Sequence, residues 1–306
     1  MRIEIGGRLN VEMDYFIVDV FTDAALQGNP LAVVMDTAKL ATERMQAIAR
    51  EFNLSETTFV QRDEAERERR EGVRVRIFTT QEELNFAGHP TLGTASVLRM
   101  VAPDVAEGGT VKLKLNVGTV PVRFEGGGLN GTMTQRDPEF GATLNPVEVA
   151  QFCGLYDEDL DATLPPQVVS TGTAFAIVAL RTLDALARLN VRHDEATPWL
   201  RERGARWFYV LAPVLDPKED GTKYRARMQF YGGEDPATGS AAGCAISYLA
   251  ARGAVASGEE ILLKQGVEIG RPSNIRVSAR LLDSKVSDVR VGGSTVLVAK
   301  GRLFLP

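Results

Sequence analysis

Glu56, His89, Asp235 and Ser240 are the side chains whose types and surroundings suit the movement of a proton. Three of them lie in two similar turns, Ala87-Gly88-His89-Pro90-Thr91 and Glu234-Asp235-Pro236-Ala237-Thr238-Gly239-Ser240-Ala241. Each turn reads as the passage from a strand into a helix. In the second, Gly232 and Gly233 permit a sharp reversal, Asp235 suits an N-cap, Pro236 suits the first helical position, and Ala241 to Leu249 propagates the helix. A helix start presents unpaired amides and the positive end of the macrodipole, so each turn is suited to receive a small carboxylate. Gly88, Thr91, Gly239 and Ala241 are expected to line that anion. A substrate carboxylate held there would bring an adjacent carbon close to the acid and imidazole groups. A carboxyl of raised pKa can then take a proton and return it elsewhere, without metal or organic cofactor.

The elements that position these groups occur twice. Pro90 matches Pro236, Gly93 matches Gly239, Thr94 matches Ser240, and His89 falls on Asp235. The preceding strands also match, Arg74–Phe78 against Arg225–Gln229, as do Gly28–Val34 and Gly172–Val178 further upstream. Three segments recurring in one order indicate an internal duplication of long period, hence two domains rather than a solenoid. The halves are placed at 1–136 and 146–306, with Met1 to Glu12 as an extension and the last strand available to complete the N-terminal half. Glu56 opens the strand ending at Val60. Aligning Val60 with Val210 puts Arg206, not an acid, opposite Glu56, so one half alone carries the carboxylate.

Along the chain, Phe16–Phe21 and Leu31–Met35 read as a strand pair, and Thr42–Glu51 as an amphipathic helix ending near Asn53. The charge run from Asp63 to Glu71 reads as a solvated tip or short helix. Val111–Leu115 and Val120–Phe124 alternate as strands, and Asp137–Asn145 loses periodicity and marks the inter-domain connection. The second copy offers a short helix over Pro146–Gly154, strands over Val168–Ser170 and Ile177–Leu180, and a helix over Leu183–Leu189. His193 sits in a polar turn. The tail supplies Ile261–Gly266 and then two strands, Asn274–Leu281 and Thr295–Leu305.

With 306 residues, 44% hydrophobic, 25% charged and a net charge of −5, the chain has material for two cores and no basic stripe for nucleic acid or an anionic membrane. Cys153 and Cys244 form no C-x-x-C pair, which fits a reducing cytoplasm, and neither a signal pattern nor a membrane-spanning apolar run is present. Competing motifs fail on spacing. Gly126–Gly131 satisfies G-x-G-x-x-G but is followed by strand-like Thr132–Gln135, so it reads as a hairpin turn. Gly233–Ser240 lacks the lysine and spacing of a phosphate loop. A His89–Ser240 dyad is open geometrically, yet no G-x-S-x-G elbow surrounds Ser240. No second histidine stands at metal spacing from His193.

Gly28-Asn29-Pro30, Leu54-Ser55-Glu56-Thr57, Ala87–Thr91, Glu234–Ala241 and Gly270-Arg271-Pro272-Ser273 together resemble the PhzF family of phenazine-biosynthesis-like isomerases. The resemblance runs from Asp14 to the C-terminus. It implies an α+β fold like that of diaminopimelate epimerase: two pseudo-symmetric domains, each a curled, mainly antiparallel sheet around a central helix, with the site between them. It also implies a homodimer, Glu56 as general acid/base, and His89, Asp235 and Ser240 assisting. The namesake reaction of the family isomerises trans-2,3-dihydro-3-hydroxyanthranilate without a cofactor. Related epimerases and proline racemases use one cysteine per domain. Here Cys244 aligns with Leu98 and Cys153 lies outside the repeated turns, which disfavours a two-thiol racemase. Two classes of function follow: a cofactor-independent isomerase of a small amino- or hydroxy-carboxylate, and a non-catalytic protein that holds a small anion on the same scaffold.

Overall fold

The computed structural model describes residues 11–216, 220–230 and 233–305. Its first part contains β1 (Val11–Val20), β2 (Asn29–Val34), α1 (Thr42–Phe52), β3 (Glu56–Gln61), α2 (Ala65–Glu71), β4 (Val73–Phe78), β5 (Glu83–Leu84), α3 (Gly88–Val101), β6 (Thr110–Leu115), β7 (Gly118–Phe124) and β8 (Gly131–Thr134). There follow β9 (Glu139–Thr143), α4 (Pro146–Cys153), β10 (Gln167–Ser170), β11 (Ala174–Ala179), α5 (Leu183–Ala187), α6 (His193–Glu202), β12 (Trp207–Pro213), β13 (Thr222–Arg227) and a small ribbon of β14 (Gln229–Phe230) with β15 (Gly233–Glu234). The chain ends with α7 (Gly239–Ala251), β16 (Ile261–Gln265), β17 (Ser273–Leu282), β18 (Lys285–Gly293) and β19 (Thr295–Leu305).

Strand pairing shows the duplication directly. In the first half the order is β19-β1-β2-β3-β4-β6-β7-β8, with β2–β3 and β4–β6 parallel and the other neighbours antiparallel. In the second it is β9-β10-β11-β12-β13-β16-β17-β18, with β11–β12 and β13–β16 parallel. Position for position, the two orders and directions agree. The first half is closed by the last strand of the chain, and β8 pairs with β18 to join the halves.

Each sheet curls around one helix: α3 packs on β1, β2, β3, β6, β7, β8 and β19, and α7 on β10, β11, β17 and β18. Both helices are buried along nearly their whole length, as a helix without a polar face must be. Small residues let the strands close in. A Cβ on Gly93 would lie 2.6 Å from Leu31 Cδ2 and 2.7 Å from Val20 Cγ2.

Several sequence readings need correction. Residues 1–10 of the expected extension lie outside the described residues, and Val11 and Glu12 already belong to β1, paired with Leu305 and Phe304. The aperiodic stretch Asp137–Asn145 contains β9, exposed along its length and therefore without an inward-facing pattern to read. β18 went unread. It is joined to β17 by the two-residue turn Asp283-Ser284, both at positive φ, and positive φ at Asp288 interrupts its alternation. His193 opens α6 rather than lying in a turn. The charge run forms α2, but Glu68 is buried and takes Arg62 Nε at 3.0 Å and the Asp63 amide at 2.7 Å.

The register also moves the counterpart of Glu56 by one residue. Leu31 pairs with Glu56, and its equivalent Phe175 pairs with Trp207, so Trp207 rather than Arg206 occupies the corresponding place. A one-residue slip exchanges the two faces of a strand. The second half therefore presents an indole where the first presents the carboxylate.

Gly93→Val, which overfills the contact between α3 and the β1–β2 pair, is expected to lower unfolding stability by about 1–3 kcal/mol in urea titration. An unchanged midpoint would contradict the close packing at this position.

Candidate functional site

The repeated turns do not build identical helix starts. In the first, α3 begins at Gly88, so Pro90 is its third residue. In the second, α7 begins only at Gly239, with Thr238 at the N-cap, and Pro236 lies outside the helix. Asp235 is thus not the N-cap. Its carboxylate instead accepts the Ala237 amide, Thr238 Oγ1 at 2.6 Å and Asn29 Nδ2 at 2.8 Å, closing a local turn that competes with the helix for the same backbone. Gly232 lies outside the described residues.

The shifted starts bring the two helices end to end. A Cβ on Gly88 would fall 3.2 Å from the Ser240 nitrogen and 3.3 Å from the Gly239 Cα. The first bonds of each ladder are Thr91 N to Ala87 O and Ala242 N to Thr238 O. The amides of Gly88, His89, Gly239, Ser240 and Ala241 are therefore left without partners in their own ladders, at the positive ends of two dipoles.

Glu56, the first residue of β3, reaches this junction from the side. Its Oε2 stands 3.5 Å from His89 Nε2, and both atoms are buried without a hydrogen-bond partner among the described residues. That separation is too long for a direct hydrogen bond. The Pro30 carbonyl accepts a hydrogen bond from the His89 imidazole, and because Nε2 is unpartnered the donor is Nδ1–H. Nε2 is then a free acceptor turned toward Glu56.

Burial pushes the Glu56 carboxyl up to about 8, with the charge of Asp235 adding to the effect. Burial likewise pushes His89 down to about 3, against the opposing bond to Pro30. Asp235 rises to about 6 through burial, restrained by its bonds from Thr238, Asn29 and Ala237, while Glu234 raises it further. Burial thus favours the neutral forms of Glu56 and His89, while the hydrogen bonds to Asp235 make it the more readily ionised of the two acids. Titratable groups driven apart in this way are suited to separate acid and base roles.

Glu56, His89 and Asp235 are thus brought together, whereas the remaining expected residues are distributed around them. Ser240 is the second residue of α7, and its hydroxyl bonds to none of the three. Thr91 turns its hydroxyl back to the Ala87 carbonyl at 2.7 Å. The Gly239 carbonyl accepts Gln135 Nε2 at 2.9 Å, and Ala241 is buried in the core. A cleft of about 410 Å³ opens between the halves, lined by Leu84, Phe86 and Val120 from one and Thr171, Thr173 and Arg206 from the other; Glu56, His89, Asp235 and Ser240 do not line it, and Gln135, which does, bonds the Gly239 carbonyl at the junction.

Three supporting residues escaped the sequence reading. Asn29, fully buried, spans the halves to Asp235 and to the Ala237 carbonyl at 2.9 Å. Its place in Gly28-Asn29-Pro30 was the available signal. Gln265 donates to the Asp235 carbonyl at 2.8 Å and accepts the Thr238 amide, with nothing in its sequence surroundings to mark it. Asp19, a carboxylate within the apolar second half of β1, is buried and bound to Arg271. No group of three His, Cys, Asp or Glu side chains able to hold a metal occurs among the described residues.

The raised Glu56 carboxyl ties stability to pH. The folded chain holds this proton more tightly than the unfolded chain, so the contribution is complete below about pH 4.5 and is lost as pH rises through about 8. Glu56→Gln, neutral throughout, should match the parent near pH 4 and melt several degrees higher at pH 9. Parallel melting curves across this range would contradict a buried protonated carboxyl.

Comparison with known proteins adds an independent line. The sequence model for phenazine biosynthesis-like proteins (PhzC-PhzF) matches residues 18–301. A trans-2,3-dihydro-3-hydroxyanthranilate isomerase of Pseudomonas aeruginosa is 37% identical over 297 residues, covering 95% of this chain and 99% of the relative. An uncharacterised isomerase of Mesorhizobium japonicum is 34% identical, with 95% and 99% covered. Among solved structures, a PhzF-family protein of Bacillus anthracis superposes with a TM-score of 0.82 at 27% identity, covering 96% of this chain and 99% of its own. A hydroxyproline epimerase of Agrobacterium vitis shares the fold alone, with a TM-score of 0.64 at 13% identity and coverage of 96% and 91%.

Proposed function

The chain belongs to the phenazine biosynthesis-like (PhzF) family and is an isomerase, and from that premise we propose that it moves a proton between two carbons of a small amino- or hydroxy-carboxylate by cofactor-independent acid/base catalysis. The observation that carries this reading is the pair of buried, unpartnered atoms Glu56 Oε2 and His89 Nε2, 3.5 Å apart beside two helix starts. The substrate enters through the inter-domain cleft. Its carboxylate takes the unpaired amides of Gly88, His89, Gly239 and Ser240, where the two positive dipole ends favour negative charge.

Glu56 must be ionised to accept a proton, and its high pKa makes it a stronger base than an ordinary glutamate once it is. It removes a proton from one carbon; the electron pair is delocalised through an adjacent double bond or carboxylate. Glu56 then returns the proton at a second carbon, so no atom is gained or lost. Neutral His89 assists by accepting a hydrogen bond from substrate or from protonated Glu56. Asp235, ionised, keeps the Glu56 proton affinity high, and Ser240 helps seat the anion.

The Pseudomonas aeruginosa relative acts on trans-2,3-dihydro-3-hydroxyanthranilate, which carries the carboxylate, amino and hydroxyl groups that this site is suited to receive. Compounds of that class are the first candidates. The reading also carries a homodimer and a cytoplasmic setting, the latter in keeping with two buried free thiols at Cys153 and Cys244.

In D₂O, the purified protein with this compound and related carboxylates is expected to place solvent deuterium on a substrate carbon, followed by NMR. Glu56→Gln should slow incorporation by a factor on the order of 100 or more while leaving binding in place. Incorporation at the parental rate in Glu56→Gln would contradict the role given to this carboxyl.

A further inference from the structure

Gly270-Arg271-Pro272-Ser273 is a motif that touches none of the reacting groups, yet its surroundings connect it to two of them, Asp235 and His89. It closes the loop between β16 and β17, with Ser273 the first residue of β17. The Arg271 guanidinium donates from Nη2 to Asp19 Oδ1 at 2.6 Å and to the Gln27 carbonyl at 2.7 Å, and from Nε to the Gly28 carbonyl at 2.9 Å. Asp19 is almost wholly enclosed, its side chain 3% exposed, and its other oxygen accepts the Leu26 amide at 2.6 Å. The Pro272 carbonyl accepts the Gly28 amide at 3.0 Å.

The segment gripped in this way leads directly to the site. Gly28 has a φ of 67°, and a Cβ there would meet the Val20 carbonyl at 2.3 Å, so this backbone has one path. The next residue, Asn29, holds the Asp235 carboxylate, and the one after it, Pro30, holds the His89 imidazole. The end of β16 and the start of the same loop also bear on the Asp235 turn. Gln265 donates to the Asp235 carbonyl, and a Cβ on Gly266 would lie 2.7 Å from the Pro236 carbonyl.

We propose that Arg271 is a positioning residue: seated on buried Asp19, its guanidinium fixes Gln27 and Gly28 so that Asn29 and Pro30 present Asp235 and His89 to Glu56. The consequence for turnover rests on the proton-transfer function proposed above. Three acceptors in different directions suit the rigid fork of a guanidinium, whereas an ammonium reaches them as a single point. Arg271→Lys therefore keeps a positive charge beside Asp19 and gives up the bonds to the two carbonyls. It separates positioning from the penalty of leaving a buried carboxylate unpaired.

The test combines two readouts on Arg271→Lys at neutral pH. The chain has two histidines, so imidazole ¹⁵N spectra of His89 are assigned by comparison with His193→Gln. The parent should show His89 as one neutral tautomer, protonated at Nδ1. In Arg271→Lys the Nε2-protonated tautomer should appear, and kcat should fall by a factor on the order of 10–100 with KM changed about twofold or less. An unaltered His89 spectrum would overturn the proposal, whether kcat is retained or falls together with the melting temperature. The spectrum needs no substrate. A parent without turnover therefore counts against the proposed reaction, while the tautomer still decides the positioning claim. Should Arg271→Lys fail to fold, Asp19→Asn, which removes the charge that seats the guanidinium and leaves one acceptor where Arg271 and the Leu26 amide use two, is measured in the same way with the same expected outcomes.

Discussion

The end-to-end meeting of α3 and α7 is the constraint on which this structure turns. Two central helices, each wrapped by its own eight-stranded sheet, point their N-termini at one junction, and Gly88 and Gly239 let the backbones approach. Amides and dipole ends that would be scattered in two separate domains therefore converge. A junction of two helix starts concentrates backbone donors in one place and so suits a small anion without a positively charged side chain.

Around that junction the chemistry depends on enclosure. Glu56 and His89 are each moved toward their neutral forms chiefly by burial, and the ionised Asp235 acts on Glu56 in the same direction. Ionised Asp235 is sustained by Asn29, Thr238 and the Ala237 amide, without which burial would favour its protonated form. The two halves thus contribute unequally. The first supplies the carboxyl and imidazole that face each other, and the second supplies the charge that tunes the carboxyl and most of the open amides.

Much of this was legible in the sequence, because duplication leaves matching segments and because glycine–proline turns before apolar runs mark helix starts. The family resemblance, the α+β class and the paired architecture agree with the strand order of the two halves. Other features depend on contacts that local sequence does not carry. Asp235 reads as a cap because Asp–Pro suits a cap, but its partner Asn29 lies 206 residues away. The counterpart of Glu56 was displaced by one because Val60 and Val210 are chemically alike, and only hydrogen-bond register separates Arg206 from Trp207. β18 was hidden by the left-handed Asp288, and β9 by its exposure on every face. Asp19 was visible as a carboxylate within the apolar second half of β1, but its purpose is apparent only once Arg271 is seen to reach it.

The most direct measurement is the protonation state of Glu56 itself. The infrared difference spectrum between the parent and Glu56→Gln isolates this one carboxyl among the other acids of the chain. A protonated carboxylic C=O band present at pH 7 and replaced by carboxylate bands as pH rises through about 8 is the expected result. A carboxylate signal already complete at pH 6 would mean that Glu56 is an ordinary ionised glutamate, and would contradict the claim that enclosure beside Asp235 raises its proton affinity.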